Sequence, residues 1–129
     1  MCHCRMCQRW LGTAGAMTAW FDLATFRFTA GKPKIFNTSD ILERSFCADC
    51  GTPLMHRYVV EPVGPDRAAI YIGTLDDPGV AGAPEYHAGI ESRLSEWMIL
   101  DPSVTTRRTE ENERIAAAWQ NYRRQNDKG

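Results

Sequence analysis

Cys2, Cys4 and Cys7 stand together in the stretch MCHCRMCQRW, and a further pair, Cys47 and Cys50, brackets Ala48 and Asp49 in FCADCG. Thiols spaced this closely chelate a metal, form a redox couple, or pack as ordinary small side chains. Cys47-x-x-Cys50 followed by Gly51 is a tight turn whose backbone N–H groups point toward the two sulfurs, so that both thiolates face one cation. A redox pair of the same spacing opens a helix in a βαβ setting. Pro53 and the strand-like LMHRYVV follow instead, which favours metal.

Two metal assignments remain open from spacing alone. One joins Cys4 and Cys7 to Cys47 and Cys50 in a closed four-thiolate structural zinc site and leaves Cys2 spare. The other gives Cys2, Cys4 and Cys7 to a single zinc, whose fourth tetrahedral position then takes water or a substrate atom. A dication with three thiolates carries one net negative charge, and Arg5 and Arg9 lie close enough in sequence to offset part of it. The first assignment implies a staple, the second an active centre.

The rest of the chain must position these thiols. A length of 129 residues, with 43% hydrophobic and 24% charged, fits one globular domain that buries a core. A net charge of -1 and a pI near 6.3 supply no field that draws nucleic acid or an acidic membrane surface. No run approaches the ~18 apolar residues of a membrane span and no signal peptide is evident, so a cytoplasmic setting is expected. Five cysteines in two tight groups in such a setting favour metal binding over a disulfide framework.

Short strands are expected for most of the chain. They run over Ala16 to Phe21, through Phe26 and Phe28 of TFRFTAG, through KPKIFN, on either side of the Cys47–Cys50 turn, and through Ile70 and Ile72. EPVGPD, with Pro62, Gly64 and Pro65, reads as a loop. Only residues 109–125 read as a helix, with Ile115, Ala118, Trp119 and Tyr122 on one face, Thr109 as N-cap, and Arg123 and Arg124 near the end.

Other residues carry possible chemistry beside a plainer role. His3, between two thiols, reads as a spacer, and His56 and His87 as candidate proton shuttles or ordinary structural histidines. Asp76 and Asp77 read as turn formers before Pro78 rather than an acid–base pair, because neighbours on extended chain face opposite ways. Trp10, Trp20 and Trp97 read as core or as the wall of a pocket beside the metal. The basic TTRR and NYRRQ segments read as solvated faces.

CHCRMCQRWLG, RSFCADCGTPL and IYIGTLDDP, in that order, resemble the glutathione-dependent formaldehyde-activating enzyme and centromere protein V family, over Cys2 to about Trp97. The resemblance implies a mainly β, Mss4-like arrangement of small coiled antiparallel sheets with zinc knuckles, here a single domain over 1–129 closed by the C-terminal helix. It implies a catalytic-type zinc on Cys2, Cys4 and Cys7, and a structural-type zinc on Cys47 and Cys50 whose other two ligands come from an upstream Cys-x-Cys. No such strand precedes Cys2 in this sequence, and the expectation is a start lying further upstream.

The activity implied is that of a carbon–sulfur lyase acting on a thiol adduct, by family precedent glutathione plus formaldehyde giving S-hydroxymethylglutathione. It needs one or two zinc ions, with Arg5 or Arg9 pairing with a substrate carboxylate. The alternative is a non-catalytic zinc module that binds another macromolecule, with direct nucleic-acid contact the less favoured form at this charge.

Overall fold

The computed structural model describes residues 1–126. Five strands form one antiparallel sheet in the order β1-β5-β4-β3-β2: β1 (Thr18–Asp22), β2 (Lys34–Ser39), β3 (Leu42–Phe46), β4 (Pro53–Tyr58) and β5 (Arg67–Tyr71). Register sets its two faces. Trp20 lies opposite Ala69, Ala69 opposite His56, His56 opposite Arg44, and Arg44 opposite Phe36, so one row of side chains crosses the sheet on a single face.

The run Ala68-Ala69-Ile70-Tyr71 is buried throughout because β5 is covered on both faces. Ala68 and Ile70 pack with Met55, Phe21, Phe26 and Leu75, whereas Tyr71 packs on the other face with Cys7 and Ala16. That second face carries both helices, α1 (Arg5–Leu11) and α2 (Glu113–Asn126). Ala118 of α2 is buried against Ile41 and Leu42, with Met6 of α1 and Tyr58 of β4 alongside. The mainly antiparallel architecture with a C-terminal helix is the one expected.

Several local expectations change. Phe26 and Phe28 form no strand; their rings meet edge to face at 5.1 Å and Phe26 covers the Met55–Ile70 cluster, so the alternation places two rings rather than a hydrogen-bonded ladder. β5 ends at Tyr71 instead of continuing through Ile72, because the Thr74 hydroxyl donates to the Tyr71 carbonyl at 2.7 Å and turns the chain. Asn112, not Thr109, caps α2: its Oδ1 accepts from Ile115 N at 3.2 Å and its carbonyl from Ala116 N at 2.8 Å. Thr109 sits one turn earlier and bonds through its hydroxyl to Glu91. Asp77 does form the expected turn, accepting from Gly79 N at 3.0 Å.

Two features have no counterpart in the strand reading. One is α1 itself, which spans RMCQRWL and stops at Gly12 in the left-handed conformation (φ 64°), where a residue without Cβ is favoured. The other is a parallel pair, β6 (Tyr86–Ala88) with β7 (Thr105–Arg107). The chain start joins β6 on its free side: His3 N donates to Ala88 O, and Ala88 N to Met1 O, each at 2.8 Å. Among the described residues no helix is long and apolar enough to cross a membrane.

Candidate metal centre

Cys2 is held from both sides. Its N–H donates to Ala16 O and its carbonyl accepts from Ala16 N, each at 2.8 Å, while its flanking peptides pair with Ala88. Two residues on, the chain turns into α1 with Cys4 as N-cap, the Cys4 sulfur accepting from Cys7 N at 3.5 Å. Cys7 then lies one helical turn along, on the buried side. Bridge, cap and first turn together place the three Sγ atoms within 4.8 Å of one another.

This donor set fits a zinc ion. Tetrahedral zinc with Zn–S bonds of ~2.3 Å requires sulfurs about 3.8 Å apart, within a small adjustment of the observed spacing. Hydrogen bonding with Cys2 and Cys4 holds the Cys7 thiol well below its usual range, with Arg44 adding to the effect. Cys2 is pushed up by the same hydrogen bonds and by burial.

Arg44, which sequence reasoning passed over, is fully buried beside the Cys7 sulfur. Nη2 donates to Cys7 Sγ at 3.6 Å, Nη1 donates to the Tyr71 hydroxyl at 2.6 Å, and the guanidinium carbon lies 5.5 Å from the centre of the Trp10 ring. A signal for it existed. In LERSF an arginine at the middle of a Leu-x-Arg-x-Phe alternation shares the face of two apolar residues.

Arg44 is thus the cation hydrogen-bonded to the Cys7 sulfur. Arg5 is exposed and bonds to the Gln8 side chain; Arg9 is exposed at the rim of a 260 Å³ hollow that it lines with Met6, Trp10 and Thr38. Gln8, buried and also unforeseen, donates to the carbonyls of His3 at 2.7 Å and Ser92 at 2.8 Å, tying α1 to the chain start and to the turn after β6.

His3 is wholly buried, and its Nε2 shares a proton with His87 Nδ1 at 2.8 Å. Burial, with His87 next, pushes its pKa down to about 4, so it stays neutral; bonded to His87, it lies outside the group of converging ligands. His56 is buried against Trp20 and Tyr71 and is pushed down to about 3 by burial and by Arg44, which keeps it neutral. Trp10 and Trp20 pack against the sheet face, whereas Trp97 is 81% exposed and lines nothing beside the thiols.

The closed four-cysteine assignment does not form. Cys47 and Cys50 lie in the turn between β3 and β4, and among the described residues the group of converging ligands is Cys2, Cys4 and Cys7 alone. A tight turn does form, with its backbone bonds made to carbonyls: Gly51 N donates to Cys47 O at 3.0 Å and Cys47 N to Thr52 O at 2.9 Å. The hydroxyl of Thr52, 3.0 Å from Cys50 Sγ, draws that exposed thiol below its usual range. The strand geometry separates the two pairs that spacing alone allowed to meet.

No curated protein matches the chain closely enough to count as a relative. Residues 1–92 match the family model described as glutathione-dependent formaldehyde-activating enzyme, and that span contains all three thiols of the cluster, the Cys47–Cys50 turn, Arg44 and the histidine pair. The chain belongs to the glutathione-dependent formaldehyde-activating enzyme family.

Proposed function

We propose that the protein is a zinc-dependent carbon–sulfur lyase-type enzyme acting on a thiol adduct, with glutathione and formaldehyde as the substrates its family suggests. The observation that carries the reading is the convergence of Cys2, Cys4 and Cys7, three ligands that leave one tetrahedral position to a substrate. When bound there, zinc supplies the Lewis acidity that keeps a substrate thiol as thiolate at neutral pH. In the forward direction the thiol sulfur bonds to the carbonyl carbon and the thiol proton ends on the carbonyl oxygen. The reverse direction breaks the same C–S bond.

The chain's own residues supply binding and orientation. Cys2 and Cys4 are only half-buried, so the cluster opens toward solvent on their side while Cys7 closes it from below. Arg5 and Arg9, exposed on α1 one residue beyond Cys4 and two beyond Cys7, are the proposed partners of a substrate carboxylate, a fork-to-fork geometry that arginine favours. Cys47 and Cys50 are proposed as two ligands of a second, structural-type zinc.

Thiols add to formaldehyde without help, so the test is a rate. NMR exchange between free and hydroxymethylated glutathione is expected to quicken with substoichiometric zinc-loaded protein and to return to the uncatalysed rate with Cys4→Ala. Equal rates for the two proteins would remove the lyase reading and leave the zinc module that binds a macromolecule.

A further inference from the structure

Arg44 is a buried cation without a carboxylate. The ion pairs among the described residues are Arg57–Glu43 and Arg108–Glu110, and Arg44 belongs to neither. Its Nε has no hydrogen-bond partner, and its Nη1 donates to the Tyr71 hydroxyl, a group that ordinarily carries no charge. A guanidinium never gives up its proton in a protein, and an uncompensated charge with 0% exposure is strongly disfavoured. The group within its reach that becomes an anion when zinc binds is the sulfur of Cys7, 3.6 Å from Nη2.

We infer that Arg44 is a positioning residue that carries the counter-charge of the three-thiolate cluster and thereby fits its open position to an anionic ligand, a thiolate rather than a neutral donor. The inference rests on the zinc reading above and adds to it the residue that carries the counter-charge. A dication with three thiolates is an anion already, and a thiolate entering the fourth position doubles that charge in a half-buried setting. One fixed positive charge against Cys7 cancels the first unit, so that the second is tolerated.

The surroundings keep the guanidinium in place. Trp10 lies over its face at 5.5 Å, the Tyr71 hydroxyl holds one fork, and His56, its neighbour across the β3–β4 pair, is neutral and adds no competing charge. Each of these groups belongs to the sheet face or to α1, so the donor points at Cys7 before any ligand arrives.

The test uses the full chain loaded with zinc or with cobalt, whose sulfur-to-metal absorption reports the ligands. Zinc affinity by chelator competition is expected to fall about 10- to 100-fold in Arg44→Met, the usual cost of losing a partner behind a ligand. In cobalt-loaded protein, Arg44→Met is expected to weaken 2-mercaptoethanol binding more than imidazole binding. Arg44→Lys, which keeps the charge without the fork, is expected to recover most of that preference.

Tyr71→Phe leaves the charge and removes only one anchor, so it serves if Arg44→Met fails to fold; a several-fold loss of zinc affinity is expected. A purely structural arginine would lower the melting temperature of these variants and leave the thiol-to-imidazole ratio unchanged, and that result overturns the inference. Tight zinc binding that is indifferent to Arg44 also overturns it while sparing the zinc reading. A wild-type chain that retains no zinc overturns both.

Discussion

Cys4→Ser is expected to lower zinc affinity by at least about a hundred-fold while leaving the metal-free protein as stable as before. Four-ligand zinc sites gain about 10–16 kcal/mol, so one thiolate is worth roughly 3 kcal/mol or more, and 1.4 kcal/mol is a factor of ten. The control lies in the second task of the residue. The Cys4 sulfur also caps α1 by accepting from Cys7 N at 3.5 Å, and serine is the better cap of the two. Chelator competition and thermal melts with and without zinc separate the roles: the zinc-induced rise in melting temperature disappears, and the chelator-treated melt stays put or rises slightly. A variant that keeps its zinc would show that Cys4 is a cap and not a ligand.

Gly89→Ala is expected to destabilise the metal-free protein by about 2–4 kcal/mol and to weaken zinc binding as well. Gly89 follows β6 with φ 65°, where a residue bearing Cβ costs about 1–2 kcal/mol. The added methyl would also stand 3.0 Å from the amide nitrogen of Cys4, 3.2 Å from its Cβ and 3.3 Å from its Cα. Cys4 has little room to retreat, because His3 N is bonded to Ala88 O at 2.8 Å and α1 starts at Arg5. Whatever shift occurs moves the Cys4 sulfur away from those of Cys2 and Cys7.

Gly12→Ala provides the comparison. Gly12 has nearly the same φ, 64°, but nothing lies within 4 Å of the added carbon. Only the conformational cost of about 1–2 kcal/mol applies there, and zinc affinity is expected to hold. Urea unfolding of the chelator-treated proteins with parallel zinc titrations checks both. Equal effects of the two substitutions would mean that β6 does not support the cluster.

The parts of the fold legible in the sequence are those built on short-range signals. Leu42, Arg44 and Phe46 alternate with polar neighbours, Cys47 to Gly51 makes its own turn, and Ile115, Ala118, Trp119 and Tyr122 mark α2 by spacing. The trio of thiols was legible for the same reason, since two residues and then three bring them to one point.

What escaped depends on contacts remote in sequence or on an uncommon cap. α1 is short and begins at a cysteine rather than serine, threonine or aspartate, so the usual start signal is missing. The pairing of the chain start with Ala16 on one side and Ala88 on the other leaves no local trace, nor does the parallel match of β6 with β7. Arg44 shows how an inward charge is missed when arginine is read only by its type. Its place between Leu42 and Phe46 outweighs its polarity, because a sulfur cluster waits on that face to receive it.

Cys2, Cys4 and Cys7 are proposed to hold one zinc with a free fourth position. X-ray absorption at the zinc edge, on the full chain loaded with one equivalent of zinc, reads it directly. Three sulfur neighbours at ~2.3 Å and one oxygen or nitrogen, the latter replaced by a fourth sulfur on adding glutathione, is the predicted result. Four sulfurs before any thiol is added would contradict it, for the ion would then sit in a closed structural site.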